Sequence, residues 1–415
     1  MNSESALRKG VRYCAENGPL SLVHSTFNYL SFSDWPVFGH AIESVYPNYV
    51  VTSDELTSEY CSTYWELEED LTGLHFGLNE EIAPLRDDPS LEYNYRPRFS
   101  FEQPFVAEVP NATLAGPYAI AIADDGNVLL DTINSWTPGA SWRTGDAMKK
   151  AISESPLSVG ASVLQGQAPT PKRTIPIAAV VHGYWGNFYH WMVEELLKLR
   201  GVREYERRTG RDVPLIVPSD PSPYVTESLR LLGYDEEDYI EWDGETLGVD
   251  RLVVPSFPDP TPRALQWLRG EITSGLDLSD ESGPDWVYVS RQNADTRRVV
   301  NYDEVEDVLE EYGIQPVECE TLSLEEQIRL FSGVDGIVGP HGAGLTGLVW
   351  GSDIQVVEVF NNVVKGPYYL LAHILGHHYT ALSATSVGDM GKKRERHIQI
   401  DTDELRGILS RTTSP

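Results

Sequence analysis

Basic residues are scarce in this chain, lysine above all, and so are cysteine and long apolar runs. Of 415 residues, 32 are Lys or Arg against 63 Asp or Glu, giving a net charge of −31, and only 8 of the 32 are Lys. That balance excludes a nucleic-acid binder, because no cationic stripe exists to displace counterions from a phosphate backbone. Cys14, Cys61 and Cys319 are odd in number and far apart. They make neither a disulfide framework nor a CxxC metal site, and they fit a reducing compartment. The most apolar run, Ile175 to Val181 with its flanks, falls far short of the ~20 residues a membrane helix needs. Met1 to Leu20 has no apolar segment of the secretory kind. The expected location is the cytoplasm, with peripheral contact at the inner face of a membrane left open.

The acids are spread along the whole length rather than gathered in a tail. Such a surface repels itself in dilute buffer and is tolerated where salt shortens the Debye length to about 3 Å at 1 M. It reads as a cytoplasmic protein of a salt-accumulating halophile, or more plainly as an acidic protein of an ordinary cell.

Length implies two or three domains. Residues 1–110, rich in Tyr, Ser, Glu and Pro, read as an irregular N-terminal extension packed on the first domain. Tyr118 to Ala123 and Val128 to Asp131 read as a hairpin turning at Asp124-Asp125-Gly126-Asn127. From Thr174 strands and helices alternate: strand Ile175 to Val181, a long helix from Asn187 to Arg207, then strands at Val213–Val217 and Arg251–Val254 with helices around them. Ser279 to Gly283 reads as a linker. A second series runs from strand Trp286–Val289 through helix Pro367–Leu375. The fold class is therefore α/β, with two parallel, doubly wound sheets. The boundaries are 111–280 for the first domain, 281–390 for the second and 391–415 for a terminal helix.

Three segments carry chemistry. Gly339-Pro340-His341-Gly342-Ala343-Gly344-Leu345-Thr346 follows the apolar run Gly336-Ile337-Val338. It reads as a strand ending in a glycine turn before a helix from Ala343 to Trp350. At the carboxyl edge of a parallel sheet that junction receives anions, with His341 as a donor beside it. The bland reading is a tight turn. Gly342, Gly344 and Gly347 spell GxGxxG, but no acid follows at the dinucleotide spacing. In the second segment, Gly186 to Glu195, Asn187 is a candidate N-cap, and His190 and Glu194 share a helix face. They are candidate general-base hardware, or a buried histidine with a local acid. A zinc site from His182, His190 and Glu194 would lack an HExxH. In the third, strand Trp286–Val289 delivers Arg291, with Arg297 and Arg298 in the polar turn beyond. Three Arg in eight residues of so acidic a chain suit phosphate oxygens, unless they pair with Asp295 or Asp303. The single DxD, Asp401-Thr402-Asp403, reads as a helix start.

Taken together, Asn187-Phe188-Tyr189-His190-Trp191 with Glu194, Ser290-Arg291 with Arg297-Arg298 and Asn301, Gln327-Ile328, the His341–Leu345 turn and Val357-Glu358-Val359-Phe360 resemble glycosyltransferase family 61. The resemblance covers residues 175–385. It implies a GT-B-like fold of two Rossmann-like domains facing across a cleft, acceptor side first and donor side second. It also implies inverting, metal-independent transfer from a nucleotide sugar to a glycan or lipid-linked acceptor, with no cofactor. On that pattern His190 and Glu194 supply the base or base-orienting pair. Arg291, Arg297, His341, Gly342, Ala343 and Gly344 hold the diphosphate, and Glu358 meets a ribose or sugar hydroxyl. Asn187, Tyr189 and Trp191 are acceptor-side or structural. The rival expectations are a catalytically silent sugar-nucleotide or glycan-binding scaffold, and an epimerase that needs no acceptor.

Overall fold

The computed structural model describes residues 50–72, 74, 76–77, 92–93, 98–99, 101–133, 141–278, 283–388 and 392–413. The expected linker therefore lies, apart from Gly283, outside the described residues, as does most of the expected extension.

The second series folds much as its pattern dictates. Its sheet has 5 parallel strands in the order Gln315–Val317, Trp286–Val289, Gly336–Pro340, Gln355–Phe360 and His378–Ser383. Trp286–Val289 and Gly336–Pro340 are buried at every position, as strands covered on both faces must be. Two helices of this half start on side-chain caps. Ser323 and Glu326 form a reciprocal capping box before Leu324–Ser332, and Asp401 caps Thr402–Thr412. The DxD is thus the beginning of a helix.

The first sheet corrects the expectation of a purely parallel, doubly wound layer. It has 10 strands and is mixed. Ala178–Val180 lies parallel between Leu215–Val217 and Leu247–Pro255. Leu247–Pro255 also pairs antiparallel along its length with Phe105–Ala115. The hairpin, at Ile120–Ile122 and Val128–Leu129, continues the antiparallel side. Val50–Val51 and Thr63–Glu66, expected in an irregular extension, are strands of this sheet. The expected strand Ile175 to Val181 is broken: Arg173–Ile175 and Ala178–Val180 pair with different stretches of one partner. Between them Pro176 has no N–H to donate and only accepts, from Arg251 N at 3.2 Å.

One apolar cluster spans both sheets, joining Val181, Trp191, Leu229 and Leu268 to Val289, Phe331, Leu345 and Tyr369. Polar ties cross with it: Leu324 N donates to Glu227 at 2.6 Å, and Arg269 to the Trp350 carbonyl at 3.4 Å. No described helix is long and apolar enough to cross a membrane.

Candidate active site

The helix expected from Asn187 to Arg207 is built in three parts. Asn187 is extended, and its side chain accepts from His190 N at 3.3 Å, starting the turn Phe188–His190. Trp191–Glu195 is a π turn in which Leu196 N reaches back to Trp191 O at 2.9 Å. Lys198–Thr209 continues as an ordinary α-helix. Such wide turns crowd one extra residue into a helix and recur at functional sites.

Within this irregular turn His190 Nδ1 lies 2.7 Å from Glu194 Oε2, off the angle of a hydrogen bond, with both side chains about one-fifth exposed (19% and 18%). Trp185 stacks on the imidazole at 5.7 Å and Tyr189 meets it edge-on at 5.2 Å. Trp191 turns away into the core, where its indole donates to Ser228 at 2.8 Å. Behind the pair sits a buried ion pair, Glu195 with Lys198 at 2.6 Å. It fits only because residue 183 is glycine, since a Cβ there would lie 2.0 Å from Glu195 Oε1. Burial pushes His182 down to about 4, so it stays neutral at ordinary pH, its Nδ1 3.0 Å from Gly183 O. Among the described residues no group of three or more His, Cys, Asp or Glu is placed to hold a metal ion.

On the second sheet Arg291 emerges directly beyond Trp286–Val289. One Nη donates to Thr296 O at 3.1 Å, and the guanidinium lies against Gly342, where a Cβ would come 2.3 Å from Nη1. Arg297 has φ 58°, a left-handed conformation that costs a non-glycine residue roughly 1–2 kcal/mol. Both side chains are partly buried, and the Nε of each is buried and unpartnered. Neither pairs with Asp295, Asp303 or any other carboxylate among the described residues. Burial lowers both; for Arg297, which falls to about 10, Arg291 adds to the effect. Arg298 instead bonds back to Ala294 O within the turn. Sequence reasoning passes over a further cation. Burial, Arg297 and Arg394 push Lys365 down to about 8. The available signal was slight: one of the rare lysines, set in Lys365-Gly366-Pro367 where a strand gives way to a helix.

His341 follows Gly336–Pro340. Its Nδ1 is 2.5 Å from Glu358 Oε1, and Tyr379 donates to the other carboxyl oxygen at 2.6 Å. Glu358 has no exposed surface. That corrects its expected role on a ribose or sugar hydroxyl, because both oxygens are already engaged inside the protein. Burial raises Glu358 to about 8, against the opposing pull of Tyr379, Lys365 and Arg297. Burial, then Lys365, Arg297 and Arg291, hold His341 well below the usual imidazole range. At neutral pH the carboxyl thus keeps its proton and donates it to Nδ1, which leaves the neutral ring with its own N–H on Nε2.

The expected helix Ala343 to Trp350 is a 3-10 helix, Ala343–Val349. Its glycines pack where no side chain fits, Gly344 on Val289 and Gly347 on the Phe331 ring. Two rings then join the two segments. Tyr189 meets Tyr368 edge-on at 5.4 Å, and Tyr368 meets His341 at 5.4 Å. A mostly apolar cavity of about 290 Å³ opens alongside, with Phe188 and Tyr224 on one wall and Arg291, Gly342 and Glu320 on the other. A separate cavity of about 540 Å³ lies farther along the His190 helix, where Leu197 and Arg200 meet Asp131 and Phe257. The sites expected around His190 and around Arg291 and His341 are therefore neighbours.

Residues 188–357 match the family model described as Glycosyltransferase 61. The match spans both segments and ends one residue before Glu358. No curated protein matches the chain.

Proposed function

Because residues 188–357 match the Glycosyltransferase 61 family model, we propose that the chain is a glycosyltransferase of family 61 and that it transfers a sugar from a nucleotide-sugar donor to an acceptor hydroxyl with inversion, without a metal. The observation that carries this reading is the pair of partly buried guanidinium groups, Arg291 and Arg297, each with a buried, unpartnered Nε and no carboxylate partner among the described residues in a chain with 63 acids. Buried cations are ordinarily paired. These two lie beside His341, and His341 lies two aromatic rings from His190.

In this scheme His190 is the base and Glu194 its positioning residue, since Glu194 faces Nδ1 and leaves Nε2 for the acceptor. The acceptor oxygen attacks the anomeric carbon as Nε2 takes its proton. The bond from that carbon to the diphosphate oxygen breaks, and its electron pair leaves with the nucleoside diphosphate. Arg291, Arg297 and the Nε2–H of His341 neutralise the departing charge. Glu358, and Tyr379 behind it, fix the tautomer that makes His341 a donor. The GT-B-like division is supported by this arrangement: acceptor on the first sheet, donor on the second, with boundaries near residues 281 and 391, while the boundary expected near residue 111 falls inside the strand Phe105–Ala115. The separate cavity beside Leu197 and Arg200 suits the body of a glycan or lipid-linked acceptor. Dispersed acidity favours a halophilic cytoplasm, with work at the inner face of the membrane.

The test is incubation with UDP- and GDP-sugars and a cell glycolipid fraction in molar salt. Release of nucleoside diphosphate is expected, and it should vanish in the His190→Ala, Glu194→Gln double variant. Activity undiminished in that variant would remove the assigned base. Donor binding without release, in any acceptor mixture, would favour the silent scaffold, and conversion of donor with no acceptor the epimerase.

A further inference from the structure

One end of the donor has no assigned place. Arg291, Arg297 and His341 take the diphosphate and His190 serves the reacting sugar, which leaves the nucleoside. The cavity of about 290 Å³ touches this arrangement at Arg291 and Gly342, yet neither His190 nor His341 stands in its wall. Strand order explains that position. Gln315–Val317, Trp286–Val289 and Gly336–Pro340 are parallel neighbours. Beyond their carboxyl ends come Cys319, Arg291 and His341, carried on strands about 5 Å apart. His341 therefore flanks Arg291 on one side and Cys319, in the cavity wall, on the other. Phe188 and Tyr224, edge-on at 5.4 Å, close the cavity from the first sheet's side. Phe188 and His190 stand about 200° apart around one helical turn, so ring and imidazole serve different spaces.

The wall holds one fixed and unmet polar atom. Gln327, 8% exposed, belongs to the helix Leu324–Ser332. Its amide nitrogen donates to the Cys319 carbonyl at 3.0 Å and to the Leu322 carbonyl at 3.2 Å. Both N–H groups are thus used, and two carbonyl partners settle which end of the amide is which. Among the described residues nothing donates to Oε1. A held acceptor in a mostly apolar pocket calls for an N–H on whatever fills it. A sugar, hydroxylated all round, needs several polar partners. A nucleobase offers flat faces to Phe188 and Tyr224 and keeps its polar atoms at its edge.

We infer that this cavity is the nucleobase subsite of the donor, and that Gln327 Oε1 accepts the ring N–H of the base. This rests on the donor-site reading above and narrows it. Uracil and guanine carry a proton on the ring nitrogen of their pairing edge. Cytosine and adenine present a lone pair there, which would face the lone pairs of Oε1. A site built to hydrogen-bond one partner rejects the analogue that cannot, because its own polar atom is then left unpaired. Gln327 is on this reading the residue that selects uracil or guanine nucleotides over those of cytosine and adenine.

Calorimetric titration of the full chain in molar salt with UDP, GDP, CDP, ADP and inorganic pyrophosphate tests this, pyrophosphate reporting the clamp alone. UDP or GDP should bind more tightly than CDP and ADP by about tenfold or more. Gln327→Met should abolish that preference, a ratio that mere loss of folded protein does not move. Half-buried Ala294 also stands in the wall, and Ala294→Leu should weaken the favoured nucleotide by about tenfold or more while pyrophosphate binds as before. This second variant decides alone if Gln327→Met, which forfeits two backbone contacts, does not fold. Equal affinity for all four nucleotides, a preference kept in Gln327→Met, or wild-type nucleotide affinity in Ala294→Leu overturns the inference. Ala294→Leu that loses UDP-glucose but keeps UDP would give the cavity to the sugar and overturn it too. If pyrophosphate binds and the nucleotides are not distinguished, the inference alone fails; if nothing in the series binds the wild-type protein, the donor-site reading falls with it.

Discussion

Replacing Gly342 by alanine should separate activity from stability. The backbone at Gly342 is extended, with φ 176°, so any residue can adopt it. The added Cβ would stand 2.3 Å from Arg291 Nη1, while its next neighbours, Arg291 Cζ and Cδ, lie at 3.2 and 3.4 Å. Only the end of one flexible side chain must move, so the cost to folding should stay within about 1 kcal/mol. The guanidinium, however, is displaced from where the leaving diphosphate would meet it. Loss of one such charge-stabilising contact costs about 2–4 kcal/mol at the transition state, a fall in kcat/KM of roughly 30- to 1,000-fold. Gly344→Ala provides the contrast. Its Cβ would press on Val289 Cγ1 at 2.6 Å and on Cys319 Sγ at 3.3 Å, inside a packed sheet that overfilling destabilises by about 1–3 kcal/mol. Donor turnover and thermal unfolding, measured on the same samples, distinguish the two. A Gly342→Ala protein with normal melting and full turnover would refute the placement of Arg291 on the donor.

Three further outcomes are expected. Glu358 is raised by folding from its ordinary range to about 8, so the folded state holds the extra proton and stability is lost as pH rises from about 4.5 toward 8. Glu358→Gln should flatten that fall in melting temperature; an unchanged slope would mean that the carboxyl ionises normally. Lys198→Met should cost about 3–5 kcal/mol by stranding a buried Glu195 carboxylate, and much of the loss should return in a Glu195→Met, Lys198→Met double variant, as followed by denaturant unfolding. Dilution out of molar salt should unfold the protein, monitored by circular dichroism, as screening of the −31 charge weakens; full stability in dilute buffer would count against the halophilic reading.

Local pattern carried the second sheet. Trp286–Val289, Gly336–Pro340 and Gln355–Phe360 are short apolar runs bounded by turns, and Ser323 with Glu326 announces its helix. The strand His378–Ser383 was not among the expected elements; its burial does not alternate cleanly, with His378 exposed and Thr380 and Ala381 both partly buried. The first sheet was harder because long-range pairing decides it. Phe105–Ala115 runs straight through Pro110 and Asn111, two turn formers that it tolerates because both side chains are exposed. Asn111 also takes a positive φ of 53°. At the site, the i,i+4 spacing of His190 and Glu194 was enough to bring them together, and residue type and position marked Arg291, Arg297 and His341. The protonated state of Glu358 and the cation at Lys365 were not legible, since both follow from burial among groups distant in sequence.

The π turn at Trp191–Glu195 makes the site sensitive to residue count. Removing a single residue there would let the backbone relax into regular α-helical winding without leaving a gap. The segments on either side would then be re-phased by about 100°. The core-facing positions of Lys198–Thr209 are pinned by their packing on the first sheet, so the misalignment would fall on the His190 end. A one-residue deletion is thus the simplest way to displace His190 while the fold stands.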